Sequence, residues 1–366
     1  GARMKIERDR IEWLSGLRAG ETLGSPVAML IPNRDWANWE DVMAYESSDP
    51  PGEIRRRRVT RPRPGHADLA GVLKYDRIDG RDILERASAR ETTARVAAGA
   101  LAKRLLAEFG VEIGSHIISL GGIRAVPERR DPAALPVPLN ESSDRSEVRV
   151  LDRGIEAEII SRIDVAKKAG DTLGGEAEVI ARGVVVGLGS HVSWDRKLDG
   201  RLAGMLMSIP AVKGVEIGMG FEASRRPGSE VHDPIVSGEA GKRVSGEADI
   251  RGGFRRTSNN AGGMEGGITT GEPVVVKVAM KPIATLMSPL PTVDLTSGQA
   301  AKAVSERSDV TAVPAMGVIA EAVVALVLAD GMLEKFGGDS LSEMRRNYEG
   351  YVAALGSRWA SDVRER

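Results

Sequence analysis

The sequence predicts an α+β fold, and three observations carry that reading. Strand-like and helix-like stretches mix without the regular β-α alternation of a doubly wound sheet. Residues Glu272 to Lys281 put Val274, Val276, Val278 and Met280 on one side of an alternating run, the pattern of a half-buried antiparallel strand. Val318 to Leu328 is apolar almost all round, which predicts a central helix rather than a peripheral one.

Taken in order, Ile6 to Pro32 alternates short apolar runs with Gly16, Gly20 and Gly24 and reads as strands and tight turns. Residues 33 to 85 hold two tryptophans, an arginine run and many turn formers, and read as a long functional loop region. A helix follows, opened by the capping box Ser88…Glu91, rich in Ala, Leu, Lys and Arg from Ala94 to Phe109, and stopped by Gly110. Residues 126 to 146 look like a surface connection. Glu156 to Lys168 is a second helix, ended by Gly170. Glu176 to Val186 and Val212 to Ile217 read as strands around a short helix at Leu202 to Ser208. Residues 223 to 247 read as a mobile polar loop, and Asp339-Ser340 caps a last helix to about Leu355.

Composition removes several classes of function. The chain has 366 residues and a net charge of −1, which argues against a duplex-binding protein with a basic face. Aromatic residues are only 4%, too few for a stacking surface on nucleic acid. With no cysteine, thiolate catalysis and cysteine-ligated metals are excluded, and the expected compartment is the cytoplasm. No pair of histidines has metal spacing. The longest apolar run, Ala322 to Ala329, is closed by Glu321 and Asp330 and is too short for a membrane span.

Four stretches carry candidate chemistry. Six arginines and a histidine crowd Arg55 to His66, with Pro62 and Pro64 holding the segment extended. Guanidinium forks grip phosphate or carboxylate, so the run suits a polyanionic small molecule; a solvated basic loop is the plain alternative. The helix start at Ser88, flanked by Arg86 and Arg90, suits an anion as well as an ordinary cap. Ser258 to Thr269 has four glycines that let a ligand touch backbone, or that simply build a turn, and it fits neither a Walker loop nor a dinucleotide fingerprint. Arg307 and Asp309, two apart on an extended segment, either pair or set a base beside a cationic anchor. Glu321, on the buried helix, must find a partner. His116 among isoleucines reads as a core or edge residue, His191 as part of a turn, and His232 as part of the mobile loop.

These pieces, in this order, resemble chorismate synthase over essentially the whole chain. The most specific are Arg63-Pro64-Gly65-His66-Ala67-Asp68, Glu85 to Thr92, Gly189 to Met207, Ile209 to Gly218, Ser258 to Gly267, Met280-Lys281-Pro282, and Arg307-Ser308-Asp309 continuing to Glu321-Ala322. Leu84 to Arg90 is similar to the actinobacterial form. The resemblance implies one family domain over residues 1–366, folded as a β-α-β sandwich with helices between two antiparallel sheets and assembled as a homotetramer. It also implies a 1,4-anti elimination of phosphate from 5-enolpyruvylshikimate 3-phosphate to give chorismate, with reduced FMN required and no net redox change. No membrane and no nucleic acid enters that reaction.

Carried over residue by residue, the family's flavin contacts fall on Arg86, Ala87, Ser88, Pro210, Ala211, Gly266, Lys281, Pro282, Ile283, Ala284, Thr285 and Arg307. His66 matches the histidine that stabilises the anionic flavin, and Asp309 the aspartate that acts at flavin N5. Arg63 and Arg90 fall where substrate anions bind. The family's opening Gly-Glu-Ser-His-Gly segment, with a second catalytic histidine, is expected ahead of Gly1. The alternative function is a flavin-binding subunit impaired by the lack of that histidine. No Rossmann segment is evident, so an external source is expected to reduce the flavin; a chain that oxidises NAD(P)H for itself is the remaining alternative.

Overall fold

The structure is a computed structural model and describes residues 9–46, 57–84, 86–87, 90–125, 134–237, 250–305 and 308–357. Short antiparallel pieces open it: β1 (Glu12–Ser15), β2 (Leu17–Arg18), β3 (Glu21–Thr22) and β4 (Ala28–Leu30), with β1 paired to β4 and β2 to β3. The strands and tight turns expected there are present. Residues 33 to 84 depart from the expected loop, because they hold a 3-10 turn and the helices α1 (Glu40–Met43), α2 (Asp68–Lys74) and α3 (Arg81–Leu84). Turn formers dominate the composition of this stretch and mask helices of four to seven residues. In α2, Asp68 in the first turn and Lys74 in the last both suit the helix dipole.

Next come α4 (Glu91–Ala107), β5 (Glu112–Leu120), β6 (Ile123–Arg124), α5 (Leu139–Ser143), α6 (Arg153–Ala169) and β7 (Gly175–Arg182). They are followed by α7 (Leu198–Met207), β8 (Val212–Ile217), α8 (Gly228–Val231), β9 (Ile235–Ser237) and β10 (Phe254–Arg256). The remainder is β11 (Met264–Glu265), β12 (Ile268–Thr269), β13 (Val274–Met280), β14 (Pro291–Val293), β15 (Ala300–Lys302), α9 (Val313–Phe336) and α10 (Leu341–Ser357). The capping residue expected at Ser88 lies outside the described residues. At α10 the expected cap is present: Glu343 N–H donates to Ser340 Oγ at 3.3 Å, and the Glu343 carboxylate accepts the Asp339 N–H at 2.8 Å.

The chain divides into two compact units. The first takes Gly1–Ala97, Arg162–Leu173 and Pro282–Ala312, and the second Ala98–Ser161, Gly174–Lys281 and Val313–Arg366. The second unit is built on an antiparallel sheet of order β6-β5-β7-β13-β8. Helix α9 packs across β5, β7 and β13, and α7 packs on α9 and β8. Leu139 of α5 covers the opposite face, over Ile180 and Val275. This double covering corrects the expectation of a half-buried β13: Val275, on its other face, is only 3% exposed.

Helix α9 also exceeds the short apolar run taken from the sequence. It has 24 residues and a mean hydropathy of 2.0 over its most apolar stretch, enough by length and composition to cross a membrane, yet that stretch is 72% buried within the protein. Its one buried charge, Glu321, finds the partners that burial demands. Ser115 Oγ and Asn140 Nδ2 donate to it, the latter at 2.9 Å, Lys103 forms an ion pair, and Arg149 Nη2 stands 3.3 Å away. Gly99 of α4 lets Lys103 approach, since a Cβ there would lie 2.6 Å from the Ala322 Cα atom. One carboxylate therefore ties α4, α5, β5 and α9 together.

Candidate active site

In the first unit the arginine run is largely turned to the protein's own use. Arg57 and Arg81 both lie over the Trp39 ring, 4.8 and 5.0 Å from its centroid. Arg58 donates twice to the Ile78 carbonyl, at 2.8 and 3.1 Å. Arg63 is buried. Of the described arginines in the run, Arg57 and Arg61 are exposed and Arg57 lies against Trp39, so the segment is a pinned scaffold as much as a display of charge.

At the end of that run Arg63, His66 and Asp68 form one cluster. A turn closes it, with His66 N–H donating to the Arg63 carbonyl at 3.2 Å. The Asp68 carboxylate is fully buried and accepts from Arg63 N, Nε and Nη2 at 3.1, 2.9 and 3.2 Å. It also faces His66 Nδ1 at 2.6 Å. Burial pushes the Asp68 carboxyl up, but the hydrogen bonds from His66 and Arg63 outweigh it and hold the group well below the usual carboxylate range. Arg63 Nη1 then donates to Thr285 Oγ1 at 2.8 Å, across 222 residues of sequence. Thr285 closes the Lys281–Thr285 stretch, which is fixed again where Thr172 Oγ1 donates to the Ile283 carbonyl at 2.7 Å.

Also in this unit, Arg86 is exposed and Ala87 half-buried, just beyond α3. Arg90 donates to the Pro32 carbonyl at 2.9 Å and pairs with Asp9 at 3.3 Å. Asp309 is exposed in the segment before α9. Ser88 and Arg307 lie outside the described residues, and with them the pairing of Arg307 with Asp309.

In the second unit the glycine-rich segment is a hairpin. Gly266 and Gly267, at φ 61° and 86°, make the two-residue turn between β11 and β12, where a primed turn requires positive φ at both positions. A Cβ on Gly267 would meet Lys197 at 2.7 Å, whereas one on Gly266 would meet only His191, at 3.9 Å. Gly266 thus leaves its backbone open on that side. Nearby in sequence, Asn260, Ala261 and Glu265 line a cavity of about 410 Å³ with His232 and Asp233. The Asp233 carboxylate accepts from Ser258 Oγ, Asn260 N and Ala261 N at 2.5, 2.8 and 2.9 Å and so shapes the segment. Pro210 and Ala211 sit beside Lys281, whose N–H donates to the Ala211 carbonyl at 3.0 Å. Ala211 has φ 67°, a strained value for alanine that persists only where the surroundings enforce it.

The chorismate synthase family profile matches residues 1–333. The chain belongs to the chorismate synthase family. The chorismate synthase of Geobacter sulfurreducens is 57% identical over 96% of this chain and 87% of its own length. That of Streptomyces coelicolor is 55% identical over 97% of this chain and 87% of its own length. A crystal structure of chorismate synthase matches with a TM-score of 0.73 at 43% identity, covering 95% of this chain and 85% of the other. The α+β sandwich expected of the sequence is therefore the fold. Membership in the chorismate synthase family carries the lyase activity that forms chorismate, on the route to the aromatic amino acids.

Within that family frame, Asp68 is the site residue to which the sequence reading gives no role, though it closes the Arg63–Asp68 motif. The available signal is its spacing: an aspartate two residues after a histidine, at the start of a helix, can fold back on the ring.

Proposed function

We propose that the chain converts 5-enolpyruvylshikimate 3-phosphate to chorismate and phosphate by 1,4-anti elimination, with reduced FMN as cofactor and no net redox change. The observation that carries the reading is the contact of Arg63 with Thr285, which joins the segment of His66 to the end of the stretch assigned to flavin. The open side of Gly266 and the enforced turn at Ala211 suit a flat cofactor lying against backbone. Arg86, Ala87, Ser88, Pro210, Ala211, Gly266, the run Lys281 to Thr285, and Arg307 would hold FMN. When bound, reduced FMN supplies electron density as phosphate leaves and recovers it as the substrate hydrogen is removed.

The chain's own residues do the rest. With reduced FMN bound, His66 would hold a proton against its negative charge, and Asp309 would accept a proton at N5. Arg90 and Arg63 are assigned to substrate anions. Arg63 gives most of its described donors to Asp68 and Thr285, and Arg90 donates to the Pro32 carbonyl and pairs with Asp9, so each would present to the substrate only what the chain leaves over. The family pattern further supports a homotetramer, a single family domain over residues 1–366, a cytoplasmic setting and an external flavin reductant.

Arg307 provides the test. Replacing it by Ala removes a charge-assisted contact of roughly 1.5–3 kcal/mol, and reduced FMN should bind about ten- to a hundredfold more weakly in anaerobic titration. Unchanged affinity would put the cofactor elsewhere.

A further inference from the structure

We propose that Asp68 is the positioning residue for His66: it accepts a hydrogen bond from Nδ1–H and so commits Nε2 to be the nitrogen that works on the ligand. The inference rests on the catalytic reading of His66 given above. The geometry decides the tautomer. Nδ1 stands 2.6 Å from Asp68 Oδ1 and 3.2 Å from Arg63 Nη2. A guanidinium only donates and an ionised carboxylate only accepts, so Nδ1 cannot satisfy both. Without a proton on Nδ1, two acceptors would face each other at 2.6 Å, whereas a proton there makes a short charge-assisted bond. The closer contact therefore places the proton on Nδ1.

Asp68 is built to hold still while it does this. Its carboxylate is 0% exposed and receives three donors of Arg63 besides the imidazole. Arg63 is itself anchored on Thr285, and the backbone of Asp68 is fixed in the first turn of α2. In this cluster the imidazole alone reaches the surface, with 21% of its side chain exposed. Nε2 has no hydrogen-bond partner among the described residues. A carboxylate that fixes tautomer and ring orientation from behind, with the second nitrogen left for the ligand, is a recurring way to prepare a histidine.

The test reads the ring directly. Histidine labelled with ¹⁵N gives signals from only four residues, and His66→Gln assigns those of His66. In the wild-type chain the expected spectrum shows Nδ1 carrying an exchange-protected proton. In Asp68→Asn that protected proton is lost and the tautomers mix. Turnover of the variant should fall about 10²-fold, the lower end of what a positioned proton-transfer group supplies, with little change in KM. The double variant with His66→Gln should be no slower than His66→Gln alone, because both changes remove one device. An Nε2–H tautomer in the wild type, additive losses, or wild-type turnover in Asp68→Asn would overturn the proposal. The wild-type spectrum decides the tautomer even where Asp68→Asn fails to fold. Full turnover in His66→Gln would instead bring down the catalytic reading on which the proposal stands.

Discussion

Alanine at His66 or at Asp309 should lower turnover by about 10²–10⁴-fold while reduced FMN and substrate still bind, the loss expected for a positioned proton-transfer group. The competing account makes both residues structural, with His66 closing a turn and Asp309 serving an ion pair. The turn survives without the imidazole, since the bond that closes it runs from His66 backbone N–H to the Arg63 carbonyl. Asp309 is exposed, so its truncation should leave the melting temperature nearly unchanged. His66→Ala removes one half-buried partner of the buried Asp68, a loss of about 1–2 kcal/mol. Melting temperature and turnover measured on the same preparations separate the accounts: a stability loss without a rate loss would sink the catalytic assignment.

Truncating Glu321 should do the opposite, damaging stability far more than chemistry. Breaking a buried ion pair from one side costs about 3–5 kcal/mol because the remaining charge is stranded. The lower end applies here, since Lys103 is one-third exposed and can turn to water, and Arg149 keeps Asp144 at 2.8 Å. For a chain of this length about 3 kcal/mol is a fall in melting temperature of roughly 4 °C. Burial pushes the Glu321 carboxyl up, but the charge and hydrogen bond of Lys103, with Ser115 and Asn140, bring it below its ordinary value. Asp68 is depressed likewise. Each carboxylate therefore contributes stability that is present above the unfolded-chain value and lost as pH falls through the folded one. Glu321→Ala should accordingly show a shallower loss of melting temperature between neutral and acid pH than the wild type. An equal slope would mean that the network contributes nothing to acid lability.

How much of this was legible beforehand depended on whether the information is local. Strand β8 was read over its full extent, and α6 and α9 were found, because periodicity within one segment marks them. Strand β5 was not announced, although it lies inside the main sheet: Gly114, Ser115 and His116 break its apolar pattern. Ser115 faces Glu321 and His116 faces Glu178 at 3.4 Å, so its polar residues are answered by partners far away in sequence. The same limit governs the site. His66 and Asp309 follow from family motifs, and the positive φ of the glycine hairpin follows from composition. The bond from Arg63 to Thr285 and the inward use of Arg57 and Arg58 come only from the folded chain, since no local pattern records which carbonyl or hydroxyl an arginine will meet.

The most direct measurement is anaerobic: 5-enolpyruvylshikimate 3-phosphate and chemically reduced FMN are mixed with the protein, and chorismate, phosphate and reduced flavin are followed together. The account predicts one phosphate released for each chorismate formed, with reduced flavin undiminished at the end and no consumption of NAD(P)H by the protein alone. Flavin bound with neither product formed would contradict it and leave a binding subunit in its stead.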